Sequence, residues 1–455
     1  MIRFAYLFYM PNSSPPRWTA ACAFALAACA LSTAIHVGNG SLRFDALPGL
    51  FAGVLFSLMG LADLRSSSIE RRGQWALWII LVAGILINFA ELYTKAPGLY
   101  LQTPDLRPYH RGLALAAGLS IAALLTQGRL RTVALVGLLA IYFLLGRWLI
   151  HASPDPRIDV VLWHRDAIRT FLSGMNPYGT SHQNVYPDTR WFDPRVVVGN
   201  EIRIGLPYPP LSLLIATLGQ LIGGDYRYAA LAANLITAAL MALAGSHRLA
   251  MAGAVFFLSL PRRHFVIEEG WTEPYGLMLL AAMVFTAIRR PRLLPLAMGL
   301  LLAVKQYYLV AALLAWLLVP DRRRWVALLL RSGLVAIALT LPFVIWNPRA
   351  FWNDLVLVQI RQPFRHDALS LLSVLAALGG PVLPSLVGFG VLVLCLVVAL
   401  RRAPRTPAGF VGSLGASFCG FFAFNKQAFA NYYFLVIGAL LLAVATWEDR
   451  AARVE

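Results

Sequence analysis

Apolar runs of about 20 residues recur along this chain from 18–37 to 429–447, and no other feature restricts its fold so strongly. Wound as an α-helix rising about 1.5 Å per residue, such a run just crosses the roughly 30 Å of a bilayer's hydrocarbon. Strands of a membrane barrel alternate apolar and polar residues, and these runs do not. Apolar residues make up 59% of the 455 and charged residues 13%, about half the charged share common in soluble domains. The sequence therefore specifies an all-α polytopic membrane protein.

A net charge of +18 suggests at first a nucleic-acid partner. Much of it is arginine in short turns between apolar runs, where the positive-inside rule collects cations on the cytoplasmic side. No basic soluble domain is present to grip nucleic acid, so the expected partners include membrane lipids and exclude nucleic acid.

That rule orders the spans. Runs at 18–37, 47–64, 75–93, 112–127 and 131–151 are joined by Arg65, Arg71 and Arg72 on one side, by Lys95 and Arg107 on the other, then by Arg129 and Arg131. Later runs lie at 227–245, 249–261, 274–289, 293–304, 307–319, 325–346, 382–400, 408–424 and 429–447. The sum is about fourteen spans with both termini in the cytoplasm. Residues 1–130 read as an N-terminal membrane extension of about four helices, 131–447 as the main membrane domain, and 448–455 as a cytoplasmic tail. Small residues near Ser32-Thr-Ala34 admit a cleaved signal peptide as a competing reading of the first run; its length favours retention. Cys22, Cys29, Cys395 and Cys419 fall within apolar runs without paired spacing, and the histidines form no His-Glu-x-x-His, so no metal site is expected.

The fifth span delivers the long connection 152–226 to the outer face. Its 158–173 segment has helical spacing and ends at Gly174, a C-cap. Residues 211–222 are apolar, but twelve residues rise only about 18 Å, so this piece reads as an interfacial helix. Because Asp321-Arg-Arg-Arg324 belongs inside, Lys305 falls at the outward apex of a pair of short apolar pieces, below the outer surface. A second outer segment, 347–367, carries Asp354, Arg361, Arg365, His366 and Asp367, and 369–379 reads as interfacial.

Charges at membrane depth cost ~3 kcal/mol or more each and so mark places with a task. Moving a sugar from a phosphate carrier to a hydroxyl needs a carboxylate to accept the proton, cations to hold the departing phosphate, and a greasy groove for the lipid tail. Asp159, opening the outer helix, is the candidate base; it reads equally as a carboxylate satisfying helix N-terminal amides. Lys305 is the candidate phosphate cation, with a snorkelling lysine as its bland alternative. Gln306, Arg365, His366 and Lys426 join it as candidate donor-phosphate ligands. Asp166, Glu268, Glu269 and Glu273 are candidates for sugar or acceptor hydroxyls, and Glu273, beside Pro274, is the one expected to be buried. Trp163, Trp191, Tyr208 and Trp271 are candidates for stacking on a sugar ring, against the ordinary interfacial belt of aromatics.

An outer helix opening with Asp159, then Gly174-Met-Asn-Pro-Tyr178, then Tyr208-Pro-Pro-Leu211, resembles the GT-C superfamily of membrane glycosyltransferases. Within it the chain looks most like the bacterial polyprenyl-phosphate-mannose-dependent mannosyltransferases. Gly299-Leu-Leu-Leu-Ala-Val-Lys-Gln306 and Asn425-Lys-Gln427 with Asn431-Tyr-Tyr433 are similar to that family's later segments, so the resemblance covers roughly 131–447. It implies a GT-C-type bundle and inverting, metal-independent transfer of a hexose, mannose first, without a cofactor. The implied donor is a polyprenyl-phosphate-linked sugar, the acceptor a lipid or glycan, and the site faces outward from a bacterial cytoplasmic membrane. The family's base maps onto Asp159 and its phosphate-side lysine onto Lys305; Asn176 and Tyr178 of the first motif are assigned to sugar or acceptor. Two departures stand out. The first outer loop lacks the Asp-Glu pair of protein O-mannosyltransferases, which argues against a protein acceptor. Gly270-Trp-Thr-Glu273 stands where related chains often carry Asn or Asp. A transporter or flippase of lipid-linked sugars is the competing reading, although such folds tend toward inverted repeats and none is evident.

Overall fold

The computed structural model describes residues 19–65, 68–69, 71–186, 188–245 and 248–449. The start of the first apolar run and most of the expected tail lie outside the described residues. Five helices precede the long polar connection: α1 (Ala20–Gly38), α2 (Leu47–Ala62), α3 (Arg71–Leu92), α4 (Arg107–Leu125) and α5 (Gly128–Ala152). Within it lie α6 (Asp159–Leu172), three two-residue strands and α7 (Pro210–Gly223). There follow α8 (Arg227–Ala244), α9 (Arg248–Leu258), α10 (Arg263–Glu268), α11 (Glu273–Arg289), α12 (Leu294–Val304), α13 (Val310–Leu314) and α14 (Arg322–Trp346). Short α15 (Pro348–Trp352), α16 (Val358–Arg361) and α17 (Leu371–Ala377) lead to α18 (Leu386–Arg402), α19 (Pro407–Ala423) and α20 (Ala430–Ala445).

Six segments are long and apolar enough to cross a membrane: Ala20–Gly38, Phe44–Ala62, Gly73–Leu92, Gly128–Ala152, Arg227–Ala244 and Arg322–Trp346. Several of the other expected spans are shorter apolar helices, α9, α19 and α20 among them. The expected pair around Lys305 is broken: α12 stops at Val304, Lys305 is extended (φ −160°, ψ 143°), and 3₁₀ turns flank α13. The interruption is where the polar side chain sits. Irregular backbone at such depth is tolerated when it lines a cavity.

Burial explains which helices lie where. α20 is apolar on every side and buried along nearly its whole length, as a central helix must be. α1, eight of whose 19 residues are alanine, packs against it and against α2; small side chains let backbones approach closely. Polar residues tie α1 to α3 and to the end of α9: Ser32 Oγ donates to Asn88 Oδ1 at 2.8 Å, and Asn88 Nδ2 donates to Ser259 Oγ at 3.4 Å. α14 does the opposite, turning Leu330, Leu334, Ile337 and Ile345 outward, as a lipid-facing helix does.

The turns fall at two ends. Arg402 bonds the Ala62 carbonyl at 2.8 Å and Arg405 the Pro320 carbonyl at 2.9 Å, gathering three basic turns at one end. At the other end the polar connection folds back over the bundle. α6 closes as its sequence says it should, with Gly174 left-handed (φ 78°) just past Ser173. Asp354 pins this connection to the second outer segment. Only 1% exposed, it accepts from the Gly179 N–H at 2.6 Å, the Gly205 N–H at 3.0 Å and the Asn353 side chain at 3.1 Å. Asp354→Ala strands two inward amides, so stability is expected to fall by about 3 kcal/mol, with new proteolytic cleavage within 174–208, checked by thermal melts and limited digestion.

Candidate active site

A cavity of about 530 Å³ opens where the polar connection, the α10–α11 turn, the Lys305 break, the second outer segment and the α19–α20 turn meet. Of the residues singled out in the sequence, Asp159, Trp163, Trp191, Tyr208, Trp271, Lys305, Gln306, Arg365 and Lys426 line it. The acid of the polar connection and the lysine of the broken hairpin therefore face one space, although 146 positions separate them.

Asp159 is the first residue of α6, after Ile158, whose side chain makes no cap. Its Oδ1 accepts from the Val160 N–H at 2.8 Å, and its own N–H donates to the Tyr186 hydroxyl at 3.4 Å. Burial pushes its carboxyl above the usual aspartate range, and hydrogen bonds from Tyr186 and Val160 and the Arg365 charge pull only partly against it. A carboxyl so placed is a better proton acceptor than a solvated one. The helix-terminal role is thus present as well, through one amide.

Lys305 is 8% exposed and directs Nζ to Glu273 Oε1 at 2.5 Å. Glu273 is wholly buried and also accepts from Asn431 Nδ2 at 2.9 Å and the Tyr307 hydroxyl at 3.4 Å. The ammonium lies 5.2 Å from the Tyr208 ring centre and 5.4 Å from that of Tyr307. Pairing with Glu273 cancels much of its long-range charge, yet an ammonium has three N–H donors and Glu273 takes one. The other two remain for an anionic oxygen in the cavity. Gln306 faces the same space while its Nε2 donates to the carbonyls of Leu355 at 3.1 Å and Pro207 at 3.4 Å.

Two more cations line the cavity. Arg365 forms a two-pronged bond with Asp367, 2.8 Å on each arm, and its guanidinium lies 4.3 Å from the Trp191 ring and 4.7 Å from Phe429. Lys426 Nζ donates to the carbonyls of Gln362 at 2.6 Å and Ile360 at 3.1 Å; among the described residues it has no carboxylate partner. Phe389, Phe421 and Phe422 add apolar surface to the cavity lining.

Seven expected residues do not line the cavity. Glu273 lies directly behind it as the partner of Lys305. Glu268 is wholly buried, its carboxylate taken by the N–H groups of Leu99 at 2.5 Å and Tyr100 at 3.0 Å, so it is not free for a sugar hydroxyl. Glu269 is 3% exposed with Oε1 unpartnered, and burial, then the charges of Glu268 and Asp159, push its carboxyl well above the usual range. Asp166 accepts from His182 Nδ1 at 2.9 Å and Arg169 at 3.2 Å, two turns along α6 from Asp159 and beyond the cavity lining. Asn176 caps its own turn, Oδ1 accepting from the Tyr178 N–H at 3.0 Å. The Tyr178 hydroxyl donates to the Tyr208 carbonyl at 2.8 Å, so the Asn-Pro-Tyr motif positions a cavity residue and does not touch the space itself. His366 is exposed and packs edge-on to Phe364.

No family model, no curated protein and no solved structure matches this chain. What the site can do follows from its own geometry.

That geometry adds residues the sequence did not single out. Tyr186, beside Asp159, comes from a stretch without periodicity. Gln359 and Gln362 reach the cavity from α16 and just beyond it. His164 is sandwiched between Tyr208 (ring centres 5.1 Å apart) and Tyr226 (5.0 Å), its Nδ1–H donating to the Val160 carbonyl at 2.9 Å, and burial holds its pKa at about 4. It is a neutral spacer that sets the Tyr208 ring. Asn431 and Tyr432 lie in a quoted motif, but only the fold shows that Asn431 bonds Glu273.

Proposed function

We propose that this protein is a membrane glycosyltransferase that moves a hexose, mannose first, from a polyprenyl-phosphate-linked donor to a lipid or glycan acceptor. The observation that carries this reading is a single cavity with three unlike walls: a base-strength carboxyl at Asp159, cations at Lys305, Arg365 and Lys426, and an apolar side at Phe389, Phe421 and Phe422. A phospholipid-linked sugar has the matching three parts. Asp159 takes the proton of the acceptor hydroxyl as its oxygen attacks the anomeric carbon. The bond from that carbon to the phosphate oxygen breaks, and polyprenyl phosphate leaves with the electron pair, its charge met by the cations. Attack from the face opposite the phosphate inverts the anomeric configuration. The GT-C-type bundle of about fourteen spans, the outward-facing site and a bacterial cytoplasmic membrane complete the proposal.

The test is transfer in proteoliposomes containing labelled polyprenyl-phosphate mannose and an envelope lipid fraction. A new, inverted glycosidic bond supports the reading. Movement of intact carrier across the bilayer with no new bond replaces it with a transporter of lipid-linked sugars. Lys426→Ala, which removes the cation without a carboxylate partner, is expected to raise the donor KM about tenfold and leave the acceptor KM unchanged, measured by initial rates.

A further inference from the structure

The first four helices reach the site through hydrogen bonds from their outer loops. Between α3 and α4, residues 96–102 form a strap. The N–H groups of Leu99 and Tyr100 hold Glu268, the Tyr100 hydroxyl donates to the Arg157 carbonyl at 3.1 Å, and the Gln102 N–H donates to the Ala152 carbonyl at 2.7 Å. The strap thus grips both ends of the short non-helical piece that delivers Asp159. It also grips α10, whose following turn carries Trp271.

Between α1 and α2, residues 39–42 form a second strap. The Leu42 N–H donates to the Asp367 carbonyl at 2.8 Å, and Ser41 pairs with Ala368 in an isolated bridge. Gly40 is left-handed (φ 79°) and so close to the start of α20 that a Cβ there would lie 2.0 Å from the Ala430 nitrogen. This strap borders the segments carrying Arg365 and Asn431. Arg262, 1% exposed, joins the two straps, donating to Asn39 Oδ1 at 3.1 Å and the Ala96 carbonyl at 3.2 Å. Neither strap contributes a lining residue to the cavity.

We propose that the first four helices act as a positioning collar, whose two straps set the Asp159 wall and the Arg365–Asn431 wall of the cavity at a fixed separation, with Tyr100 as the positioning residue for Asp159. This rests on the cavity being the site of transfer. Proton abstraction is sensitive to displacements of about 1 Å, so loosening a strap slows the chemical step before it weakens donor binding.

Tyr100→Phe keeps the ring and removes one hydrogen bond. The expected result is a fall in kcat of about fivefold with the donor KM unchanged, together with faster deuterium exchange of the amides at 158–165. Tyr93→Phe is the control: its hydroxyl bonds the His110 carbonyl at 3.2 Å, away from Arg157, and both readouts are expected to match wild type. A Ser41→Cys, Ala368→Cys pair is expected to oxidise with transfer retained. Unchanged kcat and exchange in Tyr100→Phe, or loss of transfer on oxidation of the cysteine pair, would overturn the collar. Faster exchange in Tyr100→Phe from a wild type that transfers no sugar would keep the collar and remove the transfer reading.

Discussion

Asp159→Asn is expected to lower sugar transfer about a thousandfold while leaving donor binding near wild type, because positioned general bases contribute on the order of 10²–10⁴. The substitution preserves shape and the contact with Tyr186, so the fold has no reason to change. Initial rates with labelled donor check the first part, and equilibrium binding of the donor the second. Undiminished transfer would remove the base assignment. The wild-type pH profile offers an independent check. The base works as a carboxylate, and burial raises its folded pKa. Activity is therefore lost as pH falls through that raised value, so the acid limb of kcat/KM lies above the ordinary aspartate pKa of about 4. Glu269 lies near enough for its charge to be felt, and Tyr100 and Tyr186 feel both acids. Burial and the Asp159 charge hold Glu269 higher still, so it is neutral across that limb, and Glu269→Gln is expected to leave the limb in place.

Lys305→Ala is expected to act twice. It removes a donor from the cavity, and it leaves Glu273 buried without its cation. Breaking a buried pair from one side costs about 3–5 kcal/mol, so thermal melts are expected to show a large destabilisation as well as lost donor use. The double variant Lys305→Met, Glu273→Met removes both charges. It is expected to recover most of the stability and none of the transfer, which separates the two roles. Lys95→Ala removes bonds only to the His36 and Val37 carbonyls at the end of α1, and its effect on donor use is expected to be far smaller. Equal losses in Lys95→Ala and Lys305→Ala would sink the phosphate role.

Much of the candidate site was legible because its residues are anomalies. A lysine between two short apolar pieces and an acid just after a long span stand out where apolar residues are the rule, and both line the cavity. α6 was legible for a different reason: helical spacing and a terminal glycine are local signals, and the helix runs from Asp159 to Leu172. The motif residues Asn176 and Tyr178 were located but not understood. Their bonds run to the Tyr178 N–H and the Tyr208 carbonyl, and a pattern of residue types says nothing about whether a side chain faces a space or braces its neighbour. The span count was the weakest inference, since buried helices such as α20 need neither the length nor the exposed apolar face of a lipid-facing one.

The sequence by itself determined the solvent and the secondary structure. Apolar runs of fixed length form helices in a bilayer because every backbone polar group there has to be bonded within its own segment. It did not determine which acid does what. Glu268, Glu269 and Glu273 lie within six positions, yet one is consumed by amides of the α3–α4 loop, one is buried with an unpartnered oxygen near Asp159, and one holds Lys305. Those fates depend on partners from distant parts of the chain. A carboxylate's role is set by the charges and donors within a few ångströms, and only the packed bundle decides which those are.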